Sequence, residues 1–358
     1  MTYERPNIAR MQGYTPGEQP VETGVIKLNT NENPYPPAPQ IAKELAAIDT
    51  ADLRRYPSPT AETFRRVAAE LHELQPDNVI ATNGGDEFLR LVLTTFVDPT
   101  ETVAIMRPSY SLYPVLAQVQ NCRLLQIELE ADWSLPADLA QQLNSAQVKL
   151  CILVNPHAPS GRLENVGPLA RLAQEFSGLL LLDEAYVDFI DPKLAYSTPP
   201  LLTRLDNLLI LRTLSKGYSL AGLRFGYGLA SSQLIAPMLF KTRDSYNTDL
   251  LSQRLATAAL ANQDYAGTTW ARVRTSRGRL QTELEKLGMQ VFPGQANFLL
   301  CRVPEGTDAA TLQQALKSRQ VLVRHFDQDR LSDKLRITVG SEAENDALLK
   351  ALETVLHG

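Results

Sequence analysis

The chain has 358 residues, with 35 Lys and Arg against 40 Asp and Glu for a net charge of −5, and 44% of its residues are hydrophobic. This is the composition of a folded globular chain, long enough for one large domain and one smaller one, and it excludes disorder. Mild acidity without a Lys/Arg block excludes the electrostatic footprint of nucleic-acid or anionic-membrane binding, and leaves a small anionic ligand open.

Residues 1–40 are rich in Pro, Asn and Gly, as at Pro16-Gly17, Asn33-Pro34 and Pro36-Pro37. They read as an extended arm that must lie over the rest of the molecule, against the small domain and the substrate site. Met1 to Arg10 are charged and polar where a signal peptide needs an apolar stretch, which argues against export. From Ala61, Phe64, Val67, Ala68, Leu71 and Leu74 fall at helical spacing, with Thr60 as the expected cap.

Short apolar runs then alternate with helical patterns: Val79 to Ala81, Val103 to Met106, Val148 to Val154, Leu179 to Leu182, Leu208 to Leu211 and Gly226 to Ala230. Such alternation predicts an α/β domain over 41–260 around a mostly parallel, doubly covered sheet. The densest runs are strand-sized, well short of the roughly 18 apolar residues of a membrane span. Beyond Leu260 a charged helical stretch leads to Asn297 to Leu300, Val321 to Val323 and Leu335 to Val339, predicting a smaller α+β domain over 261–358. Cys122, Cys151 and Cys301 are far apart and odd in number, which fits a reducing cytoplasm. The four histidines show no ligand spacing, and no metal is expected.

Three of these strands end in polar residues: Asn155, Asp183 and Thr213. Ligands of open α/β sheets bind outside the carboxyl ends of strands, so the three converge. Next to Thr213 comes Ser215-Lys216-Gly217, one lysine among hydroxyls and glycines. A lysine is a nucleophile when neutral, a state that desolvation and nearby cations favour, and covalent capture of a carbonyl is the usual reason. Pyridoxal phosphate supplies such a carbonyl. Its phosphate suits Thr213, Ser215, Arg224 and the turn Asn83-Gly84-Gly85-Asp86-Glu87, which opens a helical pattern where anions are favoured. A buried Asp183 would keep the pyridine nitrogen protonated, making the ring an electron sink, while Tyr186 and Asn155 would bond its phenolic oxygen. Asn155, Asp183, Tyr186, Lys216 and Arg224 follow one another at spacings of 28, 3, 30 and 8.

On these residues, with Leu28 to Pro34, Arg55-Tyr56-Pro57, Pro108-Ser109-Tyr110, Asp183 to Tyr186, Ala296 to Leu300 and Leu335 to Gly340, the chain resembles the fold-type I pyridoxal-phosphate aminotransferases. Among them it resembles the histidinol-phosphate aminotransferases, over nearly its whole length. The resemblance implies a mostly parallel seven-stranded sheet in the large domain, with Lys216 carrying the cofactor and moving the proton at the substrate α-carbon. It implies that Tyr110 stacks on the pyridine and that the site is shared in a homodimer, Tyr56 reaching the neighbouring subunit's cofactor phosphate. Arg336 is implied to grip the substrate's anionic end, serving histidinol phosphate and glutamate in alternate half-reactions. Tyr14, Asn247 and Arg324 are implied near a substrate phosphate, and Asn33 among the substrate-binding residues. Aromatic and branched-chain aminotransferases and threonine-phosphate decarboxylase are the near alternatives.

Lys216 is followed by Gly217-Tyr218-Ser219 where the family shows Ala-Phe/Tyr-Gly; one loop also departs from the pattern, and one segment spells a rival signature. The family's Asn-Pro-Asn-Asn-Pro-Thr-Gly reads here Asn155-Pro156-His157-Ala158-Pro159-Ser160-Gly161, keeping Asn155 as the expected ring-facing residue. Residues 84–88 spell Gly-Gly-Asp-Glu-Phe, the diguanylate-cyclase signature, but a cyclase sets it in a hairpin and here a helical pattern follows.

Overall fold

The computed structural model describes residues 3–357. The arm is less plain than its composition suggests: Pro6–Arg10 form a helical turn, and Ile26–Lys27 form a short strand, β1. The large sheet comprises β2 (Val79–Thr82), β3 (Thr102–Arg107), β4 (Arg123–Glu128), β5 (Val148–Val154), β6 (Leu179–Asp183), β7 (Leu208–Thr213) and β8 (Gly226–Ala230). Its strand order is β2-β8-β7-β6-β5-β3-β4, and only β8 runs against the rest.

The sheet is covered on both faces, and side-chain alternation shows how. In β5, Cys151 and Leu153 enter one apolar cluster with Phe64 and Leu182, while Leu150, Ile152 and Val154 enter another with Phe88, Leu89 and Val92. Two buried faces require continuous apolar runs. β4 breaks that rule because it is an edge: only Ile127 is fully buried, and charged Arg123 and Glu128 bound it. No run was expected there for that reason.

The expected helix appears as Glu62–Leu71, but Thr60 does not cap it; Ser58 Oγ accepts from the Glu62 amide at 3.3 Å. Gly84–Phe96 is a helix from its first residue, so the Gly-Gly-Asp-Glu-Phe segment opens a helix and is not a hairpin.

A long helix, Gln263–Lys286, leads to a second sheet of β9 (Gln290–Phe292), β10 (Phe298–Arg302), β12 and β13. Between them β11 (Val321–Leu322) pairs in parallel with β1, while β12 (Arg324–His325) joins β13 (Lys334–Thr338). The expected strand Val321 to Val323 therefore holds the arm and lies outside the four-stranded sheet. Leu28 enters the apolar core of this part with Leu299, Ile337 and Leu348. No helix among the described residues is long and apolar enough to cross a membrane.

Candidate active site

A cavity of about 610 Å³ opens at the carboxyl ends of β5, β6 and β7, closed on the opposite side by the arm and by β12 and β13. Asp183, Thr213, Ser215 and Lys216 line the sheet side, because each ends or follows a strand there. Asp183 is held firmly. Its Oδ2 accepts from Tyr113 Oη at 2.7 Å and its Oδ1 from the Ala185 amide at 3.1 Å. Burial raises its pKa to about 6 despite these bonds, so a cation placed against it would restore the carboxylate. Tyr113 was not anticipated: within Leu112–Gln120 it is one more apolar-patterned helix residue, and only the fold brings its hydroxyl to Asp183.

Lys216 Nζ donates to the Thr30 carbonyl of the arm at 2.9 Å. Burial, with Arg336 second, lowers its pKa to about 8, the direction a nucleophilic amine needs. Thr213 Oγ1 accepts from the Ser215 amide at 3.1 Å, fixing the turn between them.

Gly85 and Asp86 line the cavity at the start of the helix Gly84–Phe96, and Arg224 approaches Asp86 at 3.5 Å. Gly84 has φ +73°, which favours glycine, and a Cβ there would meet Arg224 Nη2 at 2.8 Å and push the guanidinium from its place beside the helix amides. A guanidinium, hydroxyls and a helix N-terminus together suit a phosphate. Tyr110 and Tyr186 also line the cavity, and Tyr14 meets Tyr110 edge-on at 5.8 Å.

Arg324 and Arg336 face one another across β12 and β13 as a direct cross-strand pair, and both line the cavity. Like charges in that register are unfavourable without an anion between them. Arg336 Nη2 donates to the Asn29 carbonyl at 2.9 Å, while its buried Nε has no partner. The guanidinium lies 5.3 Å from the Phe298 ring and 5.4 Å from that of Phe326.

Five expected residues do not reach this cavity. Asn155 lies away from it: Val154 lines the cavity and packs with Phe88 and Leu89, while Asn155 bonds Tyr196, which packs against the cluster on the other face of the sheet. Its amide donates to the Glu164 carbonyl at 3.0 Å and to Tyr196 Oη at 2.8 Å, and its oxygen accepts from the Glu164 amide at 2.8 Å. Ala158, not Asn155, is the residue of that loop at the cavity. His157 is buried away from it between Ser160 Oγ at 2.7 Å and the Pro108 carbonyl at 3.0 Å. Glu87 folds back on the Asn83 amide and accepts from Asn247 at 2.9 Å, and Asn247 also donates to the Ala81 carbonyl, so neither is free for a ligand. Asn33 donates to the Gly217 carbonyl at 3.2 Å and accepts from the Tyr35 amide, which places it behind the lysine segment. Tyr56 is 80% exposed and stacks on Tyr246 at 4.4 Å, outside this chain's own cavity.

Residues 23–352 match the family model for aminotransferase class I and II. The chain is 43% identical over 357 residues to histidinol-phosphate aminotransferase 1 of Nostoc sp., covering 99% of this chain and 98% of that one. It is 42% identical to the histidinol-phosphate aminotransferase of Microcystis aeruginosa, covering 98% and 97%. Its fold superposes on the crystal structure of the Sinorhizobium meliloti histidinol-phosphate aminotransferase in complex with pyridoxal-5'-phosphate with a TM-score of 0.89 at 24% identity, covering 99% and 98%.

Proposed function

The chain belongs to the class I and II aminotransferases, and on that premise we propose that it moves the amino group of L-histidinol phosphate to 2-oxoglutarate. The products are imidazole acetol phosphate and L-glutamate, in histidine biosynthesis, and the cofactor is pyridoxal phosphate. The observation that carries this reading is one cavity holding Lys216 at one wall and the paired Arg324 and Arg336 at the other.

The residues present suit the cofactor. Asp183 would keep a proton on the pyridine nitrogen, Tyr110 would cover a ring face, and Arg224, Ser215, Thr213 and the amides at Gly85 and Asp86 would hold the phosphate. When bound, the cofactor supplies an aldehyde for covalent capture of the amino group and an electron sink for the α-carbon. Lys216 Nζ, its pKa brought down to about 8 by its desolvated setting, would be the base that takes the proton from the substrate α-carbon and hands it on toward the cofactor. Arg336 and Arg324 orient the substrate by its phosphate or carboxylate. The amino group rests on the enzyme between half-reactions, so ping-pong kinetics follow.

We also read the enzyme as a homodimer with Tyr56 serving the neighbouring site. The exposed Tyr56, stacked on the exposed Tyr246, supports this, and sedimentation of the purified protein tests it. The free cysteines suit a cytoplasmic location. The deciding experiment follows half-reactions by absorbance with histidinol phosphate, phenylalanine, leucine and threonine phosphate. Fastest conversion with histidinol phosphate is expected, and parallel double-reciprocal lines with 2-oxoglutarate; faster conversion of any other donor overturns the substrate assignment.

A further inference from the structure

Two donors were expected for the cofactor's ring oxygen, and Asn155 is spent elsewhere. Position 158, which lines the cavity, is alanine and offers none. Tyr186 is what remains of the pair, so the direction of its hydroxyl hydrogen matters. Asn31 Nδ2 donates to Tyr186 Oη at 3.0 Å, and among the described residues that hydroxyl donates to nothing. With an amide hydrogen on one side of the oxygen, the O–H is turned away from Asn31 and free for a ligand.

Asn31 is itself fixed from three directions. The Thr338 hydroxyl accepts from the Asn31 amide N–H at 3.0 Å and lies 3.1 Å from Asn31 Oδ1, to which it donates. That bond identifies the side-chain oxygen and so directs the nitrogen to Tyr186. Asn297 donates to the Asn31 carbonyl at 2.9 Å. Asn31 sits at φ +57°, and the preceding residue supplies the carbonyl that holds Lys216 Nζ. One tight bend of the arm, clamped by β10 and β13, thus touches both Tyr186 and Lys216.

We propose that Asn31 is a positioning residue, which through the Tyr186 hydroxyl directs a hydrogen-bond donor at the ring oxygen of bound pyridoxal phosphate and ties the arm and small sheet to the cofactor's charge. This rests on the cofactor assignment above. The charged and titratable groups facing Tyr186 are Asp183 at the end of β6, Arg336 from β13, Tyr14 from the arm, and Tyr110 and Tyr113, with Lys216, Arg224 and Asp86 in the same cavity.

The test is a pH titration of the visible absorbance of the cofactor-loaded enzyme. A donor to the ring oxygen favours its anionic form, so removing the donor moves the midpoint upward. Tyr186→Phe is expected to raise it by about one pH unit. Asn31→Asp keeps the shape and the Thr338 contact, loses the donor and draws the tyrosine hydrogen to itself; its midpoint rises with that of Tyr186→Phe. Asn31→Gly keeps the backbone conformation and gives a smaller rise, and combined with Tyr186→Phe it adds nothing. Asn155→Ala stays at the parent midpoint. Asn31 variants that melt earlier yet titrate at the parent midpoint, while Tyr186→Phe shifts, overturn the proposal. So does a shift in Asn155→Ala larger than in either Asn31 variant. Absence of any visible band in the parent overturns the cofactor assignment, and this inference with it.

Discussion

On the wall that β6 and β7 build, Asp183 carries two hydrogen bonds and Thr213 braces the turn to Ser215. On the facing wall, from the arm and β13, the buried Asn29 Oδ1, Thr30 Oγ1 and Arg336 Nε have none. Buried polar atoms are nearly always paired, and unpaired ones mark places awaiting a ligand. The sheet wall is thus braced by its own bonds, while the arm wall leaves an acceptor at Asn29, a hydroxyl at Thr30 and a guanidinium donor at Arg336 unpaired. Their supports differ too: the sheet wall rests on strands buried on both faces, whereas the arm pairs with the rest of the chain through the two-residue strand β1 and side-chain bonds to β13.

The contrast breaks most visibly at Lys216. Lys216→Ala should cut kcat by at least about 10³-fold with KM for either substrate changed far less, since the loss falls on the proton transfer; steady-state kinetics on loaded enzyme measure it. Arg336→Ala should lower kcat/KM by about 10²-fold for both histidinol phosphate and glutamate, the worth of a charge-assisted bond. Loss for one substrate alone would split the arm wall into two anion sites.

A third effect is smaller and concerns stability. The Lys216 pKa is about 8 in the folded chain, against about 10.4 unfolded. Between those values the unfolded chain binds more protons than the folded one, so the cofactor-free protein gains stability as pH rises from about 8 to about 10. Lys216→Met should therefore melt a few degrees higher than the parent at pH 7, with the gap closing toward pH 10 in thermal scans. Smallest in function is Asn155→Ala, which should lower stability by about 1–3 kcal/mol through the polar atoms it leaves unpaired. Its kcat should stay within about twofold of the parent, because its amide serves Glu164 and Tyr196.

Legibility in the sequence followed the same division. Strands buried on both faces announced themselves as apolar runs, and a polar residue closing such a run located Asp183 and Lys216. The argument failed one residue along in β5. Period-two alternation puts Val154 at the cavity with the Phe88 cluster and turns Asn155 to Tyr196 and the Phe64 cluster, so a strand-end position does not fix a facing. β4 escaped notice because an edge strand need not be apolar, and β1 because two residues carry no periodicity. Tyr113 and the Asn31 relay are contacts between distant segments, which spacing along a chain does not encode.

The left-handed bend at Asn31 narrows what inheritance can write there. Glycine would satisfy its backbone, and aspartate would nearly match its outline, but neither supplies an N–H to Tyr186. Longer amides and basic side chains could offer the hydrogen but strain the backbone. In a saturation library selected for growth without histidine, that codon should be enriched in asparagine, with glycine the next most frequent, while its exposed neighbour Pro36 should show less bias.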